Sequence, residues 1–278
     1  MPEGHTLHRL ATAVRDQFAG DRVAVSSPQG RFAPSAELVD GSTVLDATSH
    51  GKHLFVELDA GLAIHVHLGL YGLLAISAGP PPPPVGQVRL RLIGPRAYAD
   101  LRGATVCELV DEDAQHRLVE RLGPDPLRAD ADWERVWQAV GRSRRSVAAL
   151  LMDQSVISGI GNVYRAELLY RAGLDPRVPG KELSRRTVRA LWDDAVDLLA
   201  LGVRVGRIDT LDPVHDPGAD VDPASGVAHG VYVYRRHGEP CRVCGTAVRR
   251  AELEARNLYW CPRCQRRRTA RSRPAVVA

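Results

Sequence analysis

The sequence lacks a long apolar segment and is poor in aromatic residues. No apolar run approaches the ~20 residues that a membrane-spanning helix needs, and no basic stretch followed by an apolar one marks the N-terminus as a secretory signal. Aromatic residues make up 5% of the 278 residues, and there are only 3 Phe. These absences exclude a helical membrane protein and a secreted one. They predict a cytoplasmic protein with room for two domains, each with an aliphatic core.

Cysteine is also scarce, but four of the 5 cysteines form two pairs. Cys241 and Cys244 make one CxxC motif, Cys261 and Cys264 make a second, and sixteen residues separate the pairs. Thiolates at this spacing can close a tetrahedral zinc site with no open position. Two disulfides are the alternative, and the lack of a secretory signal argues against them. Cys107 is interpreted as a buried structural thiol.

Positive charge is concentrated around those four cysteines. Residues 235–278 hold twelve arginines and three glutamates, a net charge of +9, so the upstream residues sum to −5 within the chain's total of +4. A small zinc module with this many guanidinium groups is typical of a nucleic-acid clamp. A merely solvated basic tail is the alternative.

The N-terminus begins Met1-Pro2-Glu3. Methionine before proline is normally removed, which would leave Pro2 with a free secondary amine. An α-amino group titrates near neutrality, so this amine can attack a sugar aldehyde carbon and form a cationic iminium. The Glu3 carboxyl can move protons at the same centre. The alternative is that Pro2 only starts a helix.

Residues 22–110 are predicted to form strands. Segments 53–58 and 62–68 flank Asp59-Ala60-Gly61, which suits a hairpin turn. Short strands joined by turns favour a β-sandwich. Leu70 and Tyr71 follow between two glycines, where exposed apolar side chains would suit insertion into a base stack; a buried turn is equally common.

Helical periodicity begins after Gly123-Pro124-Asp125-Pro126, a segment that suggests a linker. A glycine-rich turn precedes Asn162, which is predicted to cap the next helix while backbone N–H groups face a DNA phosphate. An ordinary helical hairpin without a ligand is the alternative. A last helix is predicted from about Ser184 to Leu201, followed by an Asp-rich mobile loop at 206–230.

In this order, the motifs resemble the formamidopyrimidine-DNA glycosylase and endonuclease VIII family of base-excision repair enzymes over nearly the whole chain. The residues that carry the resemblance are Pro2-Glu3-Gly4, Lys52 at the start of a strand, Gly159 to Tyr164 with Glu167, and Arg256 five residues before Cys261.

The resemblance implies an α+β fold. An N-terminal catalytic β-sandwich with flanking helices would span residues 1–122, a helix–two-turn–helix domain 123–234, and a zinc-finger β-hairpin 235–270, with a basic tail at 271–278. The zinc ion would be structural and would fold the hairpin that presents Arg256.

The resemblance also implies a bifunctional DNA glycosylase and abasic-site lyase. Pro2 would attack C1′ of a flipped nucleotide, Glu3 would act as acid and base, and β- and δ-elimination would nick the strand. Lys52, Asn162 and Arg256 would hold phosphates. The partner would be damaged double-stranded DNA, with single-stranded DNA as a second candidate. The protein would act as a monomer in the cytoplasm, at the nucleoid.

Two departures from the formamidopyrimidine branch bear on the substrate. Leu70 stands where that branch usually has Met, and no Phe follows Arg102. Leu70 and Tyr71, with Arg102 beside them, are therefore expected to fill the space that the flipped nucleotide leaves in the duplex. Oxidised pyrimidines are favoured over 8-oxoguanine as substrates. The alternatives are an 8-oxoguanine glycosylase, a non-catalytic damage-binding protein that needs neither Pro2 nor Glu3, and a zinc-ribbon module.

Overall fold

The computed structural model describes residues 2–215 and 230–266, which divide into two compact units. The first unit holds the described residues up to Ala131 together with Ile157–Gly159 and Leu199–Arg207. The second holds Asp132–Val156, Ile160–Leu198 and the described residues from Ile208 onward. Most of the predicted mobile loop at 206–230 and all of the predicted basic tail at 271–278 lie outside the described residues.

Helices and strands alternate irregularly up to Ala131. In chain order they are α1 (Gly4–Phe18), β1 (Ala24–Ser26), α2 (Ala33–Val39), β2 (Val44–His50), β3 (His53–Leu58), β4 (Leu62–His67), β5 (Leu73–Ala78), β6 (Val88–Ile93), β7 (Ala97–Arg102), β8 (Val106–Asp111) and α3 (Glu112–Glu120).

Two four-stranded antiparallel sheets form a sandwich in the first unit. One sheet has the strand order β1-β6-β7-β5, and the other has the order β2-β3-β4-β8. Side chains from both sheets share one apolar core, to which α1 adds Leu7, Val14 and Phe18. The core is mostly aliphatic, as the composition requires, and the predicted β-sandwich is confirmed.

In the β3–β4 hairpin, successive side chains along each strand point to opposite faces of the sheet. The two strands pair antiparallel across the predicted 59–61 turn, so Leu54 and Val66 face the core. His65 points to the other face and is nevertheless buried. Its Nδ1 lies 3.0 Å from Glu108 Oε1 and its Nε2 lies 2.8 Å from His53 Nδ1, so both ring nitrogens have hydrogen-bond partners.

Arg91 and Asp100 form a buried ion pair in the other sheet. Nε and NH2 of Arg91 donate to the two carboxylate oxygens of Asp100 at 2.7 and 2.8 Å, and both residues are buried. The hydrogen bond from Arg91 is the main cause that lowers the pKa of Asp100. Removing Asp100 would leave the Arg91 guanidinium buried without a counter-charge.

From Trp133 onward, the described residues form four helices, two 3-10 turns and one two-stranded hairpin. The elements are α4 (Trp133–Gly141), α5 (Val147–Met152), α6 (Asn162–Arg171), a 3-10 turn (Gly180–Glu182), α7 (Arg185–Val205), a second 3-10 turn (Pro213–His215), β9 (Arg249–Leu253) and β10 (Arg256–Trp260). Within residues 2–215 and 230–266, no helix has the length and hydropathy that a membrane crossing requires.

Helix boundaries depart from the sequence prediction at two places. Gly161 is the N-cap of α6, and Asn162, predicted to be that cap, is the first helical residue with its side chain engaged elsewhere. The last helix is found, but it continues to Val205. Gly206, at φ 74°, adopts the left-handed conformation that ends helices.

We expect Asp100→Ala to lower the free energy of unfolding by about 3–5 kcal/mol at pH 7, because Arg91 would stay buried without its partner. The lowered pKa of Asp100 means that the pair stabilises the fold above about pH 4. Its contribution is lost as pH falls through the lowered pKa, so the gap between wild type and variant should shrink in acid. Urea unfolding at pH 7 and pH 3 measures this.

Asp193→Ala is the matched control, since Asp193 pairs with Arg189 on an exposed helix face. Its expected cost is about 0.5 kcal/mol or less. Equal losses for the two variants at pH 7 would contradict the role given to the buried pair.

Candidate functional site

The N-terminal segment lies against the turn at 157–159 of the first unit. The backbone N–H of Gly4 donates to Gly159 O at 2.8 Å, and a Cβ on Gly4 would come within 2.8 Å of the Gly159 Cα. Glu3 precedes α1 in an extended conformation and is 0% exposed. Backbones can approach this closely only at glycine, so the two glycines fix where Pro2 and Glu3 lie.

Gly51 and Lys52 form the tight turn between β2 and β3, against the same 157–159 turn. Gly51 has a φ of 58°, and a Cβ there would lie 2.8 Å from the Ser158 Cβ. Burial, followed by neighbouring histidines and Lys52, lowers the pKa of His53 to about 3. His53 is therefore neutral at pH 7, and Lys52 is the cation of this turn. The structure thus brings Pro2, Glu3 and Lys52 to one region.

The connection between β4 and β5 exposes apolar side chains. Leu70 is 43% exposed and Tyr71 is 84% exposed, with Leu73 beside them at 58%. Gly72 N–H donates to Leu68 O at 3.0 Å, and a Cβ on Gly72 would lie 2.2 Å from that oxygen. Glycine therefore permits the tight turn that holds Leu70 and Tyr71 outward.

Arg102 lies at the end of β7 and already has protein partners. Its NH2 donates to Asp100 Oδ2 at 2.9 Å, and its Nε donates to Val85 O at 3.2 Å. The side chain is partly exposed. These contacts hold the 80–87 loop to the sheet, a role that the sequence did not suggest.

In the second unit, Asn162 joins α6 to the hairpin of β9 and β10. Its Nδ2 donates to Asn257 O at 3.0 Å. Arg165, which is buried, donates to both Asn162 Oδ1 and Asn257 O. Asn257 directly follows Arg256, so this network places the predicted phosphate ligands Asn162 and Arg256 near each other.

Glu167 anchors the backbone on both sides of the 216–229 segment. Its carboxylate accepts from the backbone N–H of Tyr232, Val233 and Tyr234 at 2.6–2.9 Å and from Thr210 Oγ1 at 2.7 Å. Glu167 is buried. Burial raises the pKa of its carboxyl, and the four donors oppose that shift only in part. Residues 210 and 232–234 are thereby held together.

The four cysteines predicted to bind zinc lie together. Their sulfur atoms are all within 4.8 Å of one another, with Cys241 to Cys264 at 3.9 Å and Cys244 to Cys261 at 3.5 Å. A tetrahedral ion with Zn–S bonds of about 2.3 Å needs sulfur atoms about 3.8 Å apart, whereas a disulfide needs about 2.05 Å. The donor set therefore fits one zinc ion, with no position left for a substrate.

The hairpin between the cysteine pairs presents Arg256 at its tip. Glu254 and Ala255 form the turn with φ of 48° and 57°, a left-handed conformation that costs non-glycine residues about 1 kcal/mol each. Arg145 donates to the Glu254 carboxylate at 3.3 Å. Tyr170 OH lies 3.1 Å from Cys241 Sγ and connects the cysteine cluster to α6.

Two buried polar residues were missed by the sequence reading. Arg165 carries no signal in the sequence analysis, and Asp125 is interpreted there only as part of a linker. The 123–126 segment is instead buried in the first unit. Asp125 lies between two prolines, in a segment without the periodicity of a helix or a strand, so the sequence pattern gives no sign that it is buried.

Three segments of the chain match known families. Residues 1–107 match the family described as Formamidopyrimidine-DNA glycosylase N-terminal domain, and residues 122–212 match Formamidopyrimidine-DNA glycosylase H2TH domain. Residues 238–267 match Zinc finger found in FPG and IleRS. Together with the cysteine geometry, the last match confirms the predicted structural zinc ion.

Relatives match over their whole length. The chain is 50% identical over 269 residues to Endonuclease 8 1 of Mycobacterium tuberculosis, covering 95% of this chain and 100% of that protein. It is 31% identical over 282 residues to Formamidopyrimidine-DNA glycosylase of Xanthomonas campestris pv. campestris, covering 96% and 100%.

Solved structures share the fold. A Lactococcus lactis formamidopyrimidine-DNA glycosylase, non-covalently bound to DNA containing an abasic site, superposes with a TM-score of 0.77 at 19% identity, covering 95% of this chain and 100% of that one. The same protein bound to DNA containing N7-benzyl-Fapy-dG gives a TM-score of 0.78 at 20% identity, covering 96% and 100%.

We expect one zinc ion per chain, and none in Cys261→Ala, by elemental analysis of the purified protein. Loss of the ion removes what holds the strained 254–255 turn, so amide exchange in β9 and β10 should quicken. Cys107→Ala is the control, because Cys107 lies outside the cluster, and it should keep its zinc. Full metal content in Cys261→Ala would contradict the assigned site.

Proposed function

Because the chain belongs to the formamidopyrimidine-DNA glycosylase and endonuclease VIII family, we propose that it excises oxidised bases from DNA through the amine of Pro2 and then nicks the strand. The buried Glu3 beside Pro2, held by the contact of Gly4 with Gly159, carries this proposal. Once Met1 is removed, this contact would hold a buried acid next to an N-terminal amine. DNA as substrate also favours action in the cytoplasm, at the nucleoid.

The chemistry follows from a secondary amine. Once Met1 is removed, the Pro2 nitrogen attacks C1′ of the damaged nucleotide, and the C1′–N bond to the base breaks. Glu3 transfers protons at the sugar as the ring opens, and the product is an iminium. The iminium acidifies the neighbouring C2′–H, so the 3′ phosphate leaves by β-elimination and the 5′ phosphate by δ-elimination. Water then hydrolyses the iminium and regenerates the amine.

Cationic and amide side chains would hold the DNA backbone. Lys52 would contact a phosphate near the reacting sugar, while Asn162 and Arg256 would contact phosphates through the second unit. A guanidinium at a hairpin tip can grip a phosphate with two parallel hydrogen bonds. The Asn162–Asn257 hydrogen bond supports joint action of Asn162 and Arg256.

Leu70 and Tyr71 would occupy the space left by the flipped nucleotide. Their exposure supports this role, since an apolar side chain in water gains by entering a base stack. Arg102 is partly committed to Asp100 and Val85, so a contact from it to DNA would supplement these two. The 50% identity to an endonuclease 8, against 31% to a formamidopyrimidine-DNA glycosylase, supports a preference for oxidised pyrimidines over 8-oxoguanine.

Borohydride trapping on an oligonucleotide with an abasic site tests the nucleophile. The wild type should form a covalent adduct at the mature N-terminus, which mass spectrometry of the peptide locates at Pro2. Pro2→Gly, which exchanges the secondary amine for a primary one, should slow adduct formation, and Glu3→Gln should slow it by about 10²–10⁴-fold, the range of a general acid–base group.

Glu37→Gln, at an exposed position of α2, serves as control and should trap at the wild-type rate. A wild-type protein that binds abasic DNA without forming an adduct would instead identify a non-catalytic damage-binding protein.

A panel of duplexes that differ only in one lesion tests the base preference. We expect single-turnover excision of 5-hydroxycytosine to exceed that of 8-oxoguanine by about tenfold or more, within the range that one pocket can discriminate. Tyr71→Ala should slow excision from duplexes, because the void would stay unfilled, and should affect an abasic single strand less. Faster excision of 8-oxoguanine would assign the chain the formamidopyrimidine-type specificity.

A further inference from the structure

Asp125 is a buried acid to which the proposed mechanism gives no role. It is 1% exposed, and it accepts hydrogen bonds from separate parts of the first unit. Its Oδ2 accepts from His8 Nε2 at 2.8 Å and from the backbone N–H of Gly51 at 2.7 Å. Its Oδ1 accepts from the backbone N–H of Leu127 at 2.9 Å.

The donors to Asp125 belong to the segments that carry the candidate catalytic groups. His8 lies on α1, just over one turn beyond its start at Gly4. Gly51 immediately precedes Lys52. The neighbouring Pro124 O accepts from Ser158 N–H at 3.0 Å, which fixes the turn that Gly4 contacts. The short buried segment at 123–126 therefore contacts α1, the Gly51 turn and the 157–159 turn.

We propose that Asp125 is a positioning residue for the reaction, which holds the segment bearing Pro2 and Glu3 and the turn bearing Lys52 in a fixed mutual arrangement. It touches neither substrate nor reacting atoms and acts through His8 and the Gly51 N–H. The inference rests on the proposed function and adds a residue to it.

The charge on Asp125 is maintained by its partners. Burial by itself would raise the pKa of Asp125, but the hydrogen bond and charge of His8 and the N–H groups of Leu127 and Gly51 hold the pKa below its usual range. The carboxylate is thus ionised at neutral pH. An ionised acceptor makes stronger hydrogen bonds than an amide oxygen, and one oxygen here serves donors from two segments.

An amide cannot reproduce this arrangement. In Asp125→Asn the single carbonyl oxygen can satisfy either the Leu127 side or the Gly51 and His8 side, and the NH2 group faces donors on the other. Displacement of a catalytic group by about 1 Å costs up to about 10²-fold in rate. We therefore expect the rate of adduct formation to fall by about tenfold to hundredfold.

The test measures single-turnover borohydride trapping and DNA affinity on the full zinc-loaded chain, well below the thermal midpoint of each variant. Asp125→Asn should slow trapping while the Kd for abasic DNA stays within about threefold, since no phosphate contact is removed. Asp130 is an exposed acid five residues after Asp125 and pairs with Arg128. Asp130→Asn is therefore the control, and its trapping rate and Kd should match those of the wild type.

A second variant separates positioning from a general loss of structure. If Asp125 acts through His8, then His8→Gln should also slow trapping, and the double variant should be little slower than the slower single one. Amide exchange at Gly51 and Lys52 should quicken in Asp125→Asn, while exchange in β9 and β10 should not change.

The outcomes are distinguishable. If the wild type forms the adduct, and Asp125→Asn and His8→Gln form it at the same rate, this inference is overturned while the proposed function stands. Losses that track the thermal midpoint, with DNA affinity falling in parallel, would show a merely structural acid and overturn it too. No adduct from the wild type would overturn the proposed function and this inference with it.

Discussion

The approach of Gly4 to Gly159 is the contact on which the rest of the candidate site depends. One backbone hydrogen bond of 2.8 Å joins the start of the chain to a turn more than 150 residues away, and no side chain fits between them. Gly51 meets the same turn with a positive φ. Because these contacts are made by backbone atoms, they hold the backbone of Pro2, Glu3 and Lys52 against a rigid support, so that it needs little further ordering.

Buried carboxylates provide the second level of organisation. Asp100 joins two arginines in the sandwich, Asp125 joins α1 to the Gly51 turn, and Glu167 joins residues 210 and 232–234. Asp125 and Glu167 accept from donors in segments that are distant in sequence, whereas the donors to Asp100 are arginines of the adjacent strands β6 and β7. A buried anion tolerates no missing donor, so each carboxylate specifies a backbone arrangement rather than merely adding stability.

In the zinc hairpin a metal cation, rather than a buried carboxylate, holds segments of the backbone together. Two non-glycine residues in a left-handed turn and a short two-stranded sheet would not hold their shape alone. Four thiolates around one ion, with Tyr170 against Cys241, supply the missing constraint. The result is a rigid tip that carries Arg256 within a strongly basic segment.

The sequence alone determined those features that depend on residues close together in the chain. Two CxxC pairs specify a zinc site, and the period of two specifies the strands and the 59–61 turn; Pro2-Glu3 predicts an amine beside an acid. It did not reveal that His65 is buried, that Asn162 bonds Asn257 instead of capping its helix, or that Asp125 lies inside the first unit. Those outcomes depend on donors and acceptors that are far apart along the chain, and only folding decides which of them meet.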